Sequence, residues 1–180
     1  MAVQGLGDVG LALARMLERD GVRVIASDVR TVEGFETVPP EEITAAECDV
    51  FAPCAAGGIL DAETISRLAC RVVCGGANNP FATAADVDRL HARGIEYVPD
   101  FLANAGALVR GASDALGQGD LVPERMAGLA DLAREIVEEG RRRGRSPHHV
   151  AVEKADARIA TMCGDTVSQR SVRKSRRTES

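Results

Sequence analysis

A chain of 180 residues with 27 acidic and 22 basic side chains, a formal charge of −5 and 3% aromatic content has the size and balance of one globular domain with a full core. This composition excludes a fibrous or wholly disordered chain; no apolar run is long enough to cross a bilayer, and the first residues lack the succession of a signal peptide. The expectation is a cytoplasmic protein that binds neither membrane nor nucleic acid.

The chain opens MAVQGLGDVG, in which Gly5-x-Gly7-x-x-Gly10 is a dinucleotide fingerprint. The first glycine permits a tight turn, the second lets the backbone approach a pyrophosphate, and the third lets the next helix pack closely on a sheet. A buried strand must feed such a turn, and only Ala2, Val3 and Gln4 stand ready for it after Met1. VGLALARMLERDG then sets Val9, Leu13, Met16 and Leu17 at helical spacing and stops at Gly21, a residue type common just past a helix end. VRVIASD reads as a buried strand closing on Asp28, about 20 residues beyond the glycines, where a carboxylate accepts from a ribose diol and repels a 2′-phosphate. This favours NAD, while Arg30 keeps NADP open, since a nearby arginine accommodates the extra phosphate.

Further strands are expected at ETV, DVFAP, RVVCGG and EYVPD, with helices near PEEITA, DAETISRLA and TAADVDRLHARG. Strands alternating with amphipathic helices predict an α/β fold: a Rossmann-like, doubly wound, mostly parallel sheet with helices on both faces. From Phe101 onward three helical patterns follow, FLANAGALVRGASDAL, VPERMAGLADLAREIVEEGRRRG and PHHVAVEKADARIATM, the last two with Pro123 and Pro147 in the first turn. Residues 1–163 are read as one nucleotide-binding domain with these C-terminal helices, and residues 164–180, rich in arginine and poor in apolar side chains, as a disordered basic tail. Cysteines 48, 54, 70, 74 and 163 form no CxxC pair, and His91, His148 and His149 fall in no ligand pattern, so no metal is expected.

Ligands of an open α/β sheet bind beyond the C-terminal ends of its strands. The segments there, FAPCAAGG, CGGANNPF and VPDFLANAGAL, are rich in small residues and carry Cys54, Asn78 with Asn79, and Asn104. Small residues admit a flat cofactor, and an amide pairs with a carboxamide or a ribose hydroxyl.

Together with VQGLGDVG, the segments DVFAPCAAGG, GGANNP and PDFLANAGA, in this order, resemble the cofactor-binding domain of the glutamate/leucine/phenylalanine/valine dehydrogenase family, most closely its leucine and valine branch. The resemblance runs from Ala2 to about Met162. It implies a soluble, oligomeric enzyme that oxidises an L-amino acid to its 2-oxo acid and ammonia and hands the α-hydride to NAD. Carried onto this chain, Gly5, Leu6, Gly7, Asp8, Val9 and Gly10 would hold the pyrophosphate and Asp28 the adenosine ribose. Cys54 and Ala55 would line the cleft, Asn78 would lie by the nicotinamide ribose and Asn104 beside the nicotinamide and substrate. Two residues depart from the family pattern. Asp8 replaces an asparagine and is expected to turn away from phosphate, and Ala107 replaces a glycine and narrows the nicotinamide pocket.

The resemblance also implies that the base of the reaction, a lysine of lowered pKa in a glycine-rich loop, belongs to a separate N-terminal domain. Lysine occurs here only at 154 and 174, in neither case in such a loop, so no catalytic residue is assigned. The chain is therefore expected to be the cofactor half of an amino-acid dehydrogenase, inactive alone and with an internal start. Its partners would be the L-amino acid and 2-oxo acid of the complete enzyme, together with the missing N-terminal half or further copies of itself. A non-catalytic NAD-binding module and a truncated remnant are the alternatives.

Overall fold

The computed structural model describes residues 1–30 and 32–175, with side chains described through Thr161. Six strands, β1 (Ala2–Gln4), β2 (Ile25–Ser27), β3 (Glu36–Thr37), β4 (Val50–Pro53), β5 (Val72–Val73) and β6 (Glu96–Tyr97), form one sheet in the order β3-β2-β1-β4-β5-β6. Every pairing is parallel. This is the doubly wound order, in which the chain works outward from β1 in one direction and then crosses back to work outward in the other. The reversal places a crevice between β1 and β4.

Register explains why the short strands suffice. Ala2 is in register with Ile25 and Phe51, Phe51 with Val73, and Val73 with Tyr97, so one continuous apolar row crosses five strands. That row packs with Ile43, Leu60, Ile65, Leu68 and Leu90, of which Ile65 comes from α2 (Ala62–Arg67) and Leu90 from α3 (Ala85–Ala92). On the opposite face Val3 aligns with Ala26 and Ala52, a row of small side chains. There α1 (Asp8–Arg19) settles with Gly10 and Ala14 buried and Leu13 and Leu17 partly buried. The helical spacing expected for α1 is present, but its inner face is turned. Val9 and Met16 are 59% and 54% exposed, because the small residues Gly10 and Ala14 permit the closest approach to the sheet.

Two more local differences have simple causes. PEEITA forms only a 3₁₀ turn at Ile43–Ala45, since the chain before it closes a tight turn at the prolines, the Glu42 N–H donating to the Pro39 carbonyl at 2.9 Å. FLANAGALVRGASDAL divides into α4 (Asp100–Ala103) and α5 (Gly106–Ala115), broken at Asn104. After a 3₁₀ turn at Gly119–Leu121, α6 (Val122–Arg143) ends at Gly144, which adopts the left-handed conformation at φ 61° that favours glycine past a helix end. The long α7 (Pro147–Ser175) then runs back. A Cβ on Gly140 would stand 2.9 Å from the Arg145 carbonyl, so this glycine lets the two helices meet. Ile136, Val150 and Ala151 bury their junction, and His148 meets the tilted ring of Tyr97 and, edge to face, that of Phe101, at 6.1 and 5.8 Å between ring centres, fixing α7 to the β6 edge. Of residues 164–180, expected as a disordered basic tail, α7 takes in the backbone through Ser175, and residues 176–180 lie outside the described residues. No helix among the described residues is long and apolar enough to cross a membrane.

Candidate nucleotide-binding site

The glycine turn sits where β1 hands over to α1, directly at the crevice. Gly5 has φ +90°, and a Cβ on it would strike Ala55 at 2.6 Å; a Cβ on Gly10 would lie 1.9 Å from the Gly5 carbonyl oxygen. Both glycines are thus demanded by the protein's own packing. Gly7 is different: a Cβ there would meet nothing within 4 Å, and its φ of −71° suits any residue. A glycine that the fold does not need leaves room for something that is not protein. Gly7, Asp8 and Val9 are exposed in succession, and α1 carries no side-chain cap, so its first-turn amides are free to meet an anion.

Asp28 follows β2 and reaches back to the turn. One carboxylate oxygen accepts the Leu6 N–H at 2.7 Å, and the other accepts the Arg30 N–H at 2.9 Å and the Arg30 Nε at 3.2 Å. These donors, Arg30 first and Leu6 after it, hold the Asp28 carboxyl down from its ordinary 3.8 to about 2, so it is anionic throughout the neutral range. A cavity of about 330 Å³ opens beside it, lined by Leu6, Asp28 to Arg30, Val32 and Thr37 to Pro40. Beneath the turn, Gln4 and Ser27 stand in register, and Gln4 Oε1 and Ser27 Oγ are buried without a hydrogen-bond partner among the described residues.

The strand ends on the far side of the crevice form a second cavity of about 640 Å³, mostly apolar, between β5, β6 and α6. Val9, Gly76, Asn78, Asn104, Ala107 and Met126 are among its walls. Asn104 Nδ2 donates to Asn78 Oδ1 at 2.5 Å, joining amides 26 residues apart. Cys54, half-buried, donates its backbone N–H to the Gln4 carbonyl at 2.7 Å, and with Ala55 it flanks the glycine turn. Burial pushes the Cys54 thiol up from its usual range, leaving it a weak nucleophile. The structure therefore gathers all the candidate residues at the C-terminal ends of the strands, with Gly5 to Gly10 and Asp28 after β1 and β2, Cys54 and Ala55 after β4, and Asn78 and Asn104 beyond β5 and β6.

Sequence reasoning missed the network that shapes this second side. Asn79 has φ 49°, a left-handed conformation that asparagine tolerates better than most residues. Its N–H donates to Asp100 Oδ2 at 2.8 Å, the Tyr97 hydroxyl donates to Asp100 Oδ1 at 3.1 Å, and the Asp100 N–H donates back to the Tyr97 oxygen at 2.9 Å. Burial and the Asp100 carboxylate raise the Tyr97 phenol, which keeps it a donor. The Gly58 N–H completes the clamp by donating to the Asn79 carbonyl at 2.9 Å. Asp100 stood in PDFLANAGA without a signal of its own, since nothing local links it to Asn79.

Comparison with known proteins accords with this geometry. The sequence profile of the Glutamate/Leucine/Phenylalanine/Valine dehydrogenase family matches residues 27–118. Leucine dehydrogenase of Thermoactinomyces intermedius is 36% identical over 171 residues, which cover 90% of this chain and 47% of that protein. The chain belongs to this family. Phenylalanine dehydrogenase of Caldalkalibacillus thermarum is 33% identical over 88% of this chain and 46% of its own length. The crystal structure of L-tryptophan dehydrogenase from Nostoc punctiforme superposes with a TM-score of 0.83 at 33% identity, covering 89% of this chain and 52% of that one. The chain thus spans about half the length of the amino-acid dehydrogenases it matches.

Proposed function

We propose that this chain is the nucleotide-binding half of an NAD-dependent L-amino-acid dehydrogenase acting on a branched-chain or aromatic substrate. The observation that carries the reading is the crevice at the β1/β4 reversal. A glycine with no steric reason of its own, an uncapped helix start and an ionised aspartate stand on one side of it, and a paired Asn78 and Asn104 on the other. The residues fit a dinucleotide along its length. The free amides at Gly7 to Val9 suit a pyrophosphate, Asp28 suits a ribose, and the amides of Asn78 and Asn104 retain donor and acceptor capacity beyond their mutual bond for a second ribose or a carboxamide. Bound NAD would supply the hydride acceptor for oxidation at the amino-acid α-carbon. This chain's part is to orient that cofactor and, through the apolar wall of Val9, Leu102, Met126 and Leu129, to exclude water from one side of it.

Proton removal would fall to the remaining half of such an enzyme. Lys154 accords with that division, because its ammonium is bridged to Glu135 at 2.8 Å and Glu139 at 2.9 Å. Those carboxylates raise its pKa, whereas a general base requires a lowered one.

The test is NAD titration of the purified chain by thermal shift. At a hundredfold excess over Kd the melting temperature should climb by roughly 5–10 °C, and Gly7→Val should fold but lose the rise. A flat response in the parent would sink the proposal. Supplying the other half of a family member in trans then separates an enzyme component, which gains NADH formation with leucine, valine or phenylalanine, from a module that only binds the cofactor.

A further inference from the structure

Arg30 stands at the ribose end of the crevice in an arrangement that simple diol recognition does not require. Its backbone N–H and Nε both donate to one Asp28 oxygen, at 2.9 and 3.2 Å, while its Nη2 donates to the Leu6 carbonyl at 3.3 Å. The other Asp28 oxygen is held by the Leu6 N–H at 2.7 Å. A carboxylate offers about four acceptor positions, and three of these are filled, two of them by Arg30. A ribose diol presents two hydroxyl donors and needs two positions. The diol and the Arg30 guanidinium therefore compete for the same oxygen. The two partners differ in mobility as well: the Asp28 side chain is 9% exposed and the Arg30 side chain 68%. Asp28 is fixed by the turn that it anchors, and Arg30 is the member free to leave.

We infer that Arg30 determines cofactor specificity in this site, as a clasp that a 2′,3′-diol displaces from Asp28 and that a 2′-phosphate engages. The inference rests on the nucleotide-binding reading above. With Arg30 present, the Asp28 charge is partly neutralised in the resting site, so binding of NAD breaks an ion pair. A 2′-phosphate meets repulsion from Asp28 and attraction from Arg30 at nearly the same place. The result is a moderate preference for NAD. Without the Arg30 side chain the backbone N–H groups of Leu6 and residue 30 keep their two positions on Asp28, the other two stand open to a diol, and no guanidinium opposes the carboxylate charge toward a phosphate. The cavity that begins at these two residues continues past Val29, Val32 and Thr37, among which there is no second cation to take over the role.

The experiment is calorimetric titration of the chain with NAD and, separately, NADP at low and moderate salt. The proteins are the parent, Arg30→Ala, Asp28→Ser and the double variant, each first checked by circular dichroism to be folded at the titration temperature. Arg30→Ala should tighten NAD about two- to fivefold, the range of an exposed ion pair, and weaken NADP by about fivefold or more, with a shallower salt dependence for NADP. Asp28→Ser should prefer NADP, and that preference should vanish in the double variant. An NAD/NADP ratio untouched by Arg30→Ala, or an equal loss of both cofactors, overturns the assignment. If the parent binds NAD and the ratio does not move, only the role of Arg30 falls; if the parent binds neither dinucleotide, the nucleotide-binding reading falls with it.

Discussion

Gly7 and Gly10 belong to one sequence pattern but serve different masters. At Gly10 an added methyl would sit 1.9 Å from the Gly5 carbonyl oxygen, a backbone clash that no rotamer relieves. Gly10→Ala should therefore lower stability by about 3 kcal/mol or more, measurable by urea denaturation. At Gly7 the same methyl meets open space, so Gly7→Ala should stay within about 1 kcal/mol of the parent while weakening NAD at least tenfold. Equal stability losses in the two variants would show that Gly7, like Gly10, is there for packing. The fingerprint is legible in the sequence because its spacing is local, and so is Asp28, which closes a strand. That Arg30 occupies two of the Asp28 acceptor positions is not legible, since hydrogen-bond geometry over a turn depends on where β2 places the carboxylate relative to Leu6.

The segments that cross the strand ends show a similar division. GGANNP and PDFLANAGA can each be read as a site-bearing loop from small residues and amides, but their coupling through Asp100 depends on β5 and β6 lying side by side. Asp100 compensates for the left-handed Asn79 by giving its N–H a charged acceptor. Asp100→Ala should cost about 1–3 kcal/mol by leaving the buried Tyr97 O–H without an acceptor, while the exposed Asn79 N–H turns to water. It should also weaken NAD severalfold through a loosened Asn78. Tyr97→Phe keeps the Asn79 bond and should retain NAD affinity at somewhat lower stability. Loss of NAD affinity in Tyr97→Phe equal to that in Asp100→Ala would refute a specific role for the carboxylate. Periodicity foretold the helices of the C-terminal half but not the break at Asn104 or the turned face of α1. Both follow from what each helix packs on: amphipathic spacing names the apolar residues and leaves open which of them the sheet accepts.

Across the molecule, stability should be graded from the centre of the sheet outward. Ala2, Val3 and Ala52 are fully buried and β1 is paired on both sides, whereas β3 and β6 lie at the sheet edges. Hydrogen exchange should be slowest at the β1 and β4 amides and faster by orders of magnitude at β3. NAD should add protection at residues 5–10 and at Asn78 and Asn79. Uniform exchange across the six strands would contradict this grading, and protection by NAD elsewhere would contradict the site. The sequence by itself determined the alternation of strands and helices, the nucleotide turn, the acid after the second strand and the family resemblance, because each is encoded in spacing along a few tens of residues. Only the tertiary structure decided that β1 and β4 are neighbours, that Asn78 meets Asn104, that Asp100 holds Asn79 and that Arg30 clasps Asp28. Contacts of this kind are set by the path of the chain across the sheet and by the packing that selects one register, and neither is written in local periodicity.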